Sequence, residues 1–305
     1  MTAPRRGGAR RPNALLRAEQ RQAFGFITPA VAGLSLFTVV PVVLAIVMSL
    51  FDWPIFGERT FLGLGNYVEL LTSSPDFWPA LRNSVVFTVL YVPVNLVVAL
   101  GLALLLGPRI RGRAVFRVLF FIPVVTPIVA NVLVWKLILQ PDGLLNGLSQ
   151  TMFGIELPNF LVDADWAMIT VVVMSVWSGM GYNMLVLTAA LEQLPVSVIE
   201  AARIDGARGW RLLTGVTIPL LSPAIFFAAV MTIISSLQVF AQPQLLTGGG
   251  PGTSTVPLVM FIYTTGFKFQ DLGLAAAAAW ILFALIIGVT ALQFRAQKRW
   301  VHYEH

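Results

Sequence analysis

The chain has 305 residues, of which 57% are hydrophobic and only 11% charged, with a formal net charge of +6; its mean hydropathy is +0.82. A soluble domain carries about 25% charged residues, so most of this surface must lie in lipid, and a soluble globular fold is excluded. There is no cysteine, which also excludes a disulfide frame, a thiol nucleophile and a thiolate metal site.

Residues 1–23 hold Arg5, Arg6, Arg10, Arg11, Arg17 and Arg21 with Pro4 and Pro12. So few apolar side chains predict a basic tail that is largely disordered, with helix from Ala14 onward. The apolar run that follows is too long for a signal-peptide core and lacks a small-residue cleavage site, so it reads as a retained anchor. Six stretches reach the roughly 20 residues a bilayer requires: Phe24–Phe51, Ser84–Leu106, Val115–Leu139, Ala167–Leu191, Leu221–Ala241 and Leu274–Phe294. The expected fold is an all-α membrane protein of six spans over residues 24–295, ending in a tail at 296–305. Pro41, Pro93, Pro123, Pro127 and Gly179 are expected to interrupt some spans, which neighbouring helices can tolerate.

Basic residues set the orientation. Besides the tail, one face would carry Arg109, Arg111, Arg113, Arg117, Arg203, Arg208, Arg211, Arg295, Lys298 and Arg299. The other would keep Arg59, Arg82, Lys136 and Lys268 among the acids Asp52, Glu58, Glu69, Asp76, Asp142, Glu156, Asp163, Asp165 and Asp271. Both termini are therefore expected in the cytoplasm of a multi-pass protein of the cell (inner) membrane. The basic pI, near 10.2, is then a membrane-topology signal, and no nucleic-acid partner is expected. Trp53, Trp78, Trp135 and Trp166 fall near the outer ends of spans, as an interfacial belt does.

Chemistry is sparse. Both histidines, His302 and His305, lie at the C-terminus, so no buried histidine site is expected, and no metal site. Lys136 lies inside a predicted span, close enough to its end to snorkel. A proton- or sodium-driven carrier places ionisable groups at the midplane; their absence points to energy from another subunit. No G-x-x-x-x-G-K-[ST] occurs, so the chain is expected to hydrolyse no ATP and to bind no cofactor itself. The glycine-rich run Thr247–Gly252 lacks the lysine a phosphate loop needs.

Between spans four and five lies EAARIDGARGWRLLTGVTIPLLSP, Glu200 to Pro223. Ser197 and Glu200 have capping-box spacing behind Pro195. Gly206 is expected to stop the short helix, with a second amphipathic run, Ala207–Leu213, before Pro219 and Pro223. Taken singly, these features describe a surface loop with two short helices. Together, Glu200-Ala201-Ala202, Asp205-Gly206-Ala207, Ile218-Pro219 and Pro223 closely resemble the EAA loop of ABC-importer permeases. Leu213 stands where Phe is common and Ile218 where Leu is. Leu246-Thr247-Gly248-Gly249-Gly250-Pro251 resembles the loop after the fifth span in carbohydrate importers of the maltose and glycerol-phosphate type, and Gly63–Tyr67 resembles a segment after their first span. About residues 24–295 resemble the first of two paired permeases.

That resemblance implies a non-catalytic permease subunit of a sugar importer. Its partners would be a second homologous permease, two ATPase subunits that hold the ATP and Mg, and an extracytoplasmic solute-binding protein facing Thr247, Gly248, Gly249, Gly250 and Pro251. Glu200, Ala201, Ala202, Arg203, Asp205, Gly206, Ala207 and Pro219 would form the cytoplasmic coupling helix and its flank, with Glu200 as the charged docking contact. Arg203, Asp205 and Arg208 would either dock or stay solvated. Sugar sites combine aromatic faces with amides and hydroxyls. Asn131, Trp177, Tyr182, Asn183, Ser235, Gln238 and Gln242 are candidates for the pathway, the last two expected one turn apart on one face. The alternative for each is interhelical glue. Open alternatives for the whole chain are a permease for amino acids, peptides or phosphate, a stand-alone carrier, and an intramembrane enzyme, for which no His/Asp/Ser cluster is visible.

Overall fold

The computed structural model describes residues 12–107, 112–298 and 301. Expectations placed on residues 1–11, on Arg109, Arg111 and Arg299, and on His302 and His305 lie outside the described residues.

Helix α1 (Pro12–Leu34) runs through a single π turn (Ser35–Val39) into α2 (Val40–Ser49). The helix thus begins at Pro12, two residues ahead of the Ala14 start expected from sequence. Pro12 sits at the first helical position, where no N–H is needed, and Ala14, Leu15 and Leu16 follow it. The π turn explains how Pro41 is accommodated without a break. Val40 N–H reaches back to Ser35 O, so the chain widens into a π turn just ahead of the proline ring. A two-stranded ribbon, β1 (Phe51–Asp52) against β2 (Thr60–Phe61), adds one short strand pairing to a helical chain. It leads into α3 (Gly65–Thr72) and α4 (Phe77–Leu105).

The third span is where sequence and structure differ most. It is two helices, α5 (Arg113–Val125) and α6 (Ile128–Leu139), meeting at Thr126–Pro127, and α7 (Leu144–Phe153) follows after a turn. By length and apolar composition alone Ile128–Phe153 qualifies as a span. Packing divides the chain differently. The start of α5 pairs with the last residue of α8 (Ala164–Glu192), while Val132 of α6 packs with Val171 and Met174 nearer the start of α8. Together α5 and α6 therefore follow α8 from end to end. The break is chemically complete. Pro127 has no N–H for the Pro123 carbonyl, and Asn131 Nδ2 donates to that oxygen instead, at 2.9 Å.

The remaining elements are α9 (Val196–Ile204), α10 (Gly209–Leu212), a π turn (Leu213–Thr217), α11 (Ile218–Leu237), α12 (Ala241–Leu246), α13 (Leu258–Tyr263), a third π turn (Thr264–Lys268) and α14 (Leu272–Gln297). The fifth span ends at Leu237, not Ala241. Pro243 gives the reason. In a continued helix its ring would strike the Val239 carbonyl; after the break it sits in the first turn of α12, where no donor is required.

Helix α8 is the axis. α4 lies along its length, α5 along its Glu192 half, and α11 against α4 and α8, while α14 packs on α2. Gly179 does not interrupt α8; it makes room. A Cβ there would strike the Tyr91 hydroxyl, and one on Gly181 would strike the Phe120 carbonyl oxygen. One buried cluster (Phe77, Ala80, Leu258, Phe261, Ala277) joins the start of α4 to α13 and α14, and another (Ala99, Ala103, Met184, Leu187) lies at the Glu192 end of α8. Between them Asn183 Nδ2 donates to Asn95 Oδ1 at 2.6 Å and to Thr232 Oγ1 at 2.9 Å, tying α4, α8 and α11 together. Such interhelical bonds are worth about 0.6–2 kcal/mol each. The first span buries none of its most apolar window, and Phe26 is 85% exposed. In water that surface would be untenable; it belongs in lipid or against another membrane subunit.

Candidate functional site

At the Glu192 end the chain leaves the bundle. Pro195 is extended (ψ 117°) and opens α9 directly. The helix therefore starts before Ser197, no side chain caps it, and the expected Ser197–Glu200 capping box does not form. The far end forms as expected. Gly206 adopts φ +88°, Gly206 N–H donates to Arg203 O at 3.1 Å, and Ala207 N–H donates to Ala202 O at 2.9 Å. These are the two bonds of a Schellman termination, with glycine in the left-handed position. Glu200, Ala201, Arg203, Asp205 and Gly206 are exposed, and Ala202 and Ala207 half-buried. Ile204 is 87% exposed and Trp210, just beyond, 74%. A short helix with a carboxylate and two large apolar side chains in solvent has the composition of a docking surface. The second run is shorter than expected: α10 has four residues before the π turn. Pro219 follows in the first turn of α11.

The polar candidates separate into two groups. Asn131 and Asn183 are buried and donate through Nδ2 in the bonds given above, as interhelical glue does, while Asn183 Oδ1 is buried without a partner. Trp177 is half-buried and meets Trp135 edge to face at 6.0 Å. Tyr182, Ser235 and Gln238 are exposed and Gln242 half-buried. The break after Leu237 means that Gln238 and Gln242 do not share a helical face. Ser235 returns its hydroxyl to Met231 O, at 2.8 Å. What α11 does present is an exposed stripe of Phe227, Met231, Ser235 and Gln238, at helical spacing. Sequence reasoning missed its continuation: Phe240 packs on Tyr263 at 5.2 Å, and Tyr263 on Phe267 at 5.4 Å. The i, i+4 spacing of Tyr263 and Phe267 was the available signal.

The glycine-rich loop is a knot rather than an open strap. Thr247 and Thr255 hydroxyls meet at 2.7 Å, and Thr255 Oγ1 donates to Gly250 O at 2.9 Å. Asn83 Nδ2 donates to Thr253 O and Val256 O, at 2.7 and 3.0 Å, and Ser84 Oγ accepts from Leu258 N–H at 2.7 Å, clamping the loop onto α4. Gly249 is buried at φ +89°, where a Cβ would meet Val256 at 2.7 Å. Thr247, Gly250 and Pro251 are half-buried, and Gly248 is exposed.

Six apolar segments long enough to cross a membrane, with a polar helix carried outside the bundle, define a multi-pass membrane protein. The chain belongs to the family described as the binding-protein-dependent transport system inner membrane component, matched over residues 95–302. It is 34% identical over 278 residues to the lactose transport system permease protein LacF of Rhizobium radiobacter, covering 90% of this chain and 93% of that one. It is 38% identical over 262 residues to the sn-glycerol-3-phosphate transport system permease protein UgpA of Brucella abortus biovar 1, covering 85% and 88%. Its fold matches a chain of a bacterial alginate ABC transporter, crystallised in complex with an alginate pentasaccharide-bound periplasmic protein, with a TM-score of 0.78 at 20% identity over 92% of this chain and 96% of that one. The ABC-permease expectation and its six-span fold therefore hold, and the family is one of transport components rather than enzymes.

Proposed function

We propose that this chain is the permease subunit of a binding-protein-dependent ABC importer for a sugar or sugar derivative, forming half of the pathway beside a second, homologous permease. Helix α9 carries the reading: an exposed Glu200-Ala201-Ala202 helix, ended by Gly206, projects from the bundle with Ile204 in solvent. Two ATPase subunits, holding ATP and Mg, dock on the α9 helices of the permease pair. Their closure moves α9 and shifts the bundle between inward- and outward-open forms. Glu200 pairs with a basic group on the ATPase. The Lys/Arg distribution supports a cytoplasmic position for α9 and both termini, and with it the opposite side for the loop around Gly248, towards a solute-binding protein. The relatives' lactose and glycerol-phosphate substrates support a hydroxyl-rich cargo. The exposed stripe from Phe227 to Gln238, continued by the Phe240–Tyr263–Phe267 rings, has the apolar faces and amide such a cargo needs.

Proteoliposomes holding the assembled complex, with ATP inside and the binding protein outside, test the reading. The expected result is ATP-dependent uptake of a labelled sugar, displaced by an excess of that sugar and not by amino acids. Uptake of an amino acid, peptide or phosphate in place of every sugar tried would overturn the cargo.

A further inference from the structure

Arg113 and Arg117, one turn apart at the start of α5, both donate to Glu192 Oε1, at 3.2 and 2.8 Å. Glu192 is the last residue of α8, and only Gln193 and Leu194 separate it from Pro195, where α9 opens. At its other end α5 stops at Thr126–Pro127, both extended (ψ 132° and 133°). A helix broken in an apolar setting normally leaves a costly orphan carbonyl; here Asn131 satisfies Pro123 O. So α5 is a rod of 13 residues, about 20 Å long. It has a hydrogen-bonded joint at one end and a charge clamp at the other, the clamp lying beside the proposed docking helix.

The direct route to α4 is loose. A cavity of about 460 Å³ separates α9 from α4, lined by Leu104, Leu191, Ile199 and Thr217 together with Arg117 and Glu192, and the main contacts α9 makes are with α10 and the π turn ahead of α11. Across that gap α9 has little against which to push α4. Through Glu192 its displacement passes over bonded atoms.

We infer that α5 is the moving arm that carries the displacement of α9 into the bundle, and that Glu192, held by Arg113 and Arg117, is the positioning residue that joins them. This rests on the importer reading and adds the path by which docking reaches the membrane. Tilting about the Thr126–Pro127 joint swings the Arg113 end through the largest arc, at the Glu192 face of the bundle. The clamp is partly exposed, with side chains 41% (Glu192), 38% (Arg113) and 20% (Arg117) accessible. Pairs of this kind shift an equilibrium by roughly twofold to fivefold, a bias suited to a joint that must also yield.

The absence of native cysteine allows spin labels at Ser197→Cys on α9 and Val118→Cys on α5 of the complete complex. The expected α9–α5 distance is the same without nucleotide and with ATP trapped. Glu192→Arg is expected to make that distance broad and state-dependent, and to lower solute transported per ATP by roughly fivefold. Arg117→Glu in the same chain restores both, which a purely structural defect would not. Three results would overturn the arm: a wild-type distance that changes between states, a wild-type transport-to-hydrolysis ratio in Glu192→Arg, or a double variant no better than either single one. A complex that moves no sugar but keeps the clamp-dependent distance would overturn the carbohydrate reading while supporting the arm.

Discussion

Gly206→Val is expected to leave the protein in the membrane at normal abundance while lowering transport at least about tenfold. A Cβ at Gly206 meets nothing within 4 Å, so packing is not the cause. The cost is in the backbone. At φ +88° a β-branched residue is a strained outlier, at about 1–3 kcal/mol. Relief requires giving up the Gly206 N–H and Ala207 N–H bonds that close α9. The damage stays local because α9 lies outside the buried clusters, but local damage is enough when a docking helix must meet its socket in one orientation. About 1.4 kcal/mol of misalignment is already tenfold. Gly206→Asn, which tolerates the left-handed region, should retain most activity. Uptake divided by immunoblotted abundance measures both variants, and normal uptake by Gly206→Val would count against α9 as the coupling element.

The second large effect lies in the bundle. Gly181→Val is expected to remove folded protein altogether. A Cβ at this position strikes the Phe120 carbonyl oxygen and approaches Val124 Cγ2 at 3.0 Å. The first of these is backbone and has no rotamer to change. Helices α5 and α8 must separate, and overpacking of even one or two methyl groups costs about 1–3 kcal/mol, more where relaxation is blocked. That is a large share of the few kcal/mol that hold a domain together. Gly288→Ala is the matched control. It lies inside α14 with nothing within 4 Å, so it should be neutral or stabilising by up to about 1 kcal/mol, as expected when glycine is replaced in a helix interior. Fluorescence-detected gel filtration in detergent separates the two. A monodisperse Gly181→Val peak of wild-type height would mean that α5 and α8 pack differently from the arrangement described here.

Much of this fold was legible in sequence for a physical reason. A run of about 20 apolar residues in lipid can satisfy its backbone only as a helix, so Leu274–Phe294 and Ala167–Leu191 were found within three residues of their observed ends. Gly206 was legible because left-handed termination is a local, one-residue requirement. The misses all depend on partners distant in sequence or on prolines acting backwards. Hydropathy alone does not reveal that Asn131 repairs the break it follows, or that Pro243 ends α11 four residues early and so separates Gln238 from Gln242. Asn183, a pathway candidate by residue type, gives its amide N–H groups to Asn95 and Thr232, partners 88 and 49 positions away that no local pattern reveals. Glu192 and Arg117, 75 positions apart, gave no signal in sequence beyond their charges.

The central claim is that α9 couples this permease to ATP hydrolysis in a partner. It is tested most directly by hydrolysis in the reconstituted complex of this chain, its homologous permease, the ATPase and the binding protein, comparing wild type with Glu200→Ala across a panel of sugars. Loss of a charge-assisted contact of about 1.5–3 kcal/mol should lower the sugar-dependent stimulation about tenfold or more, with the unstimulated rate retained. Equal stimulation of the two proteins would contradict the assignment of Glu200 and of the helix that carries it.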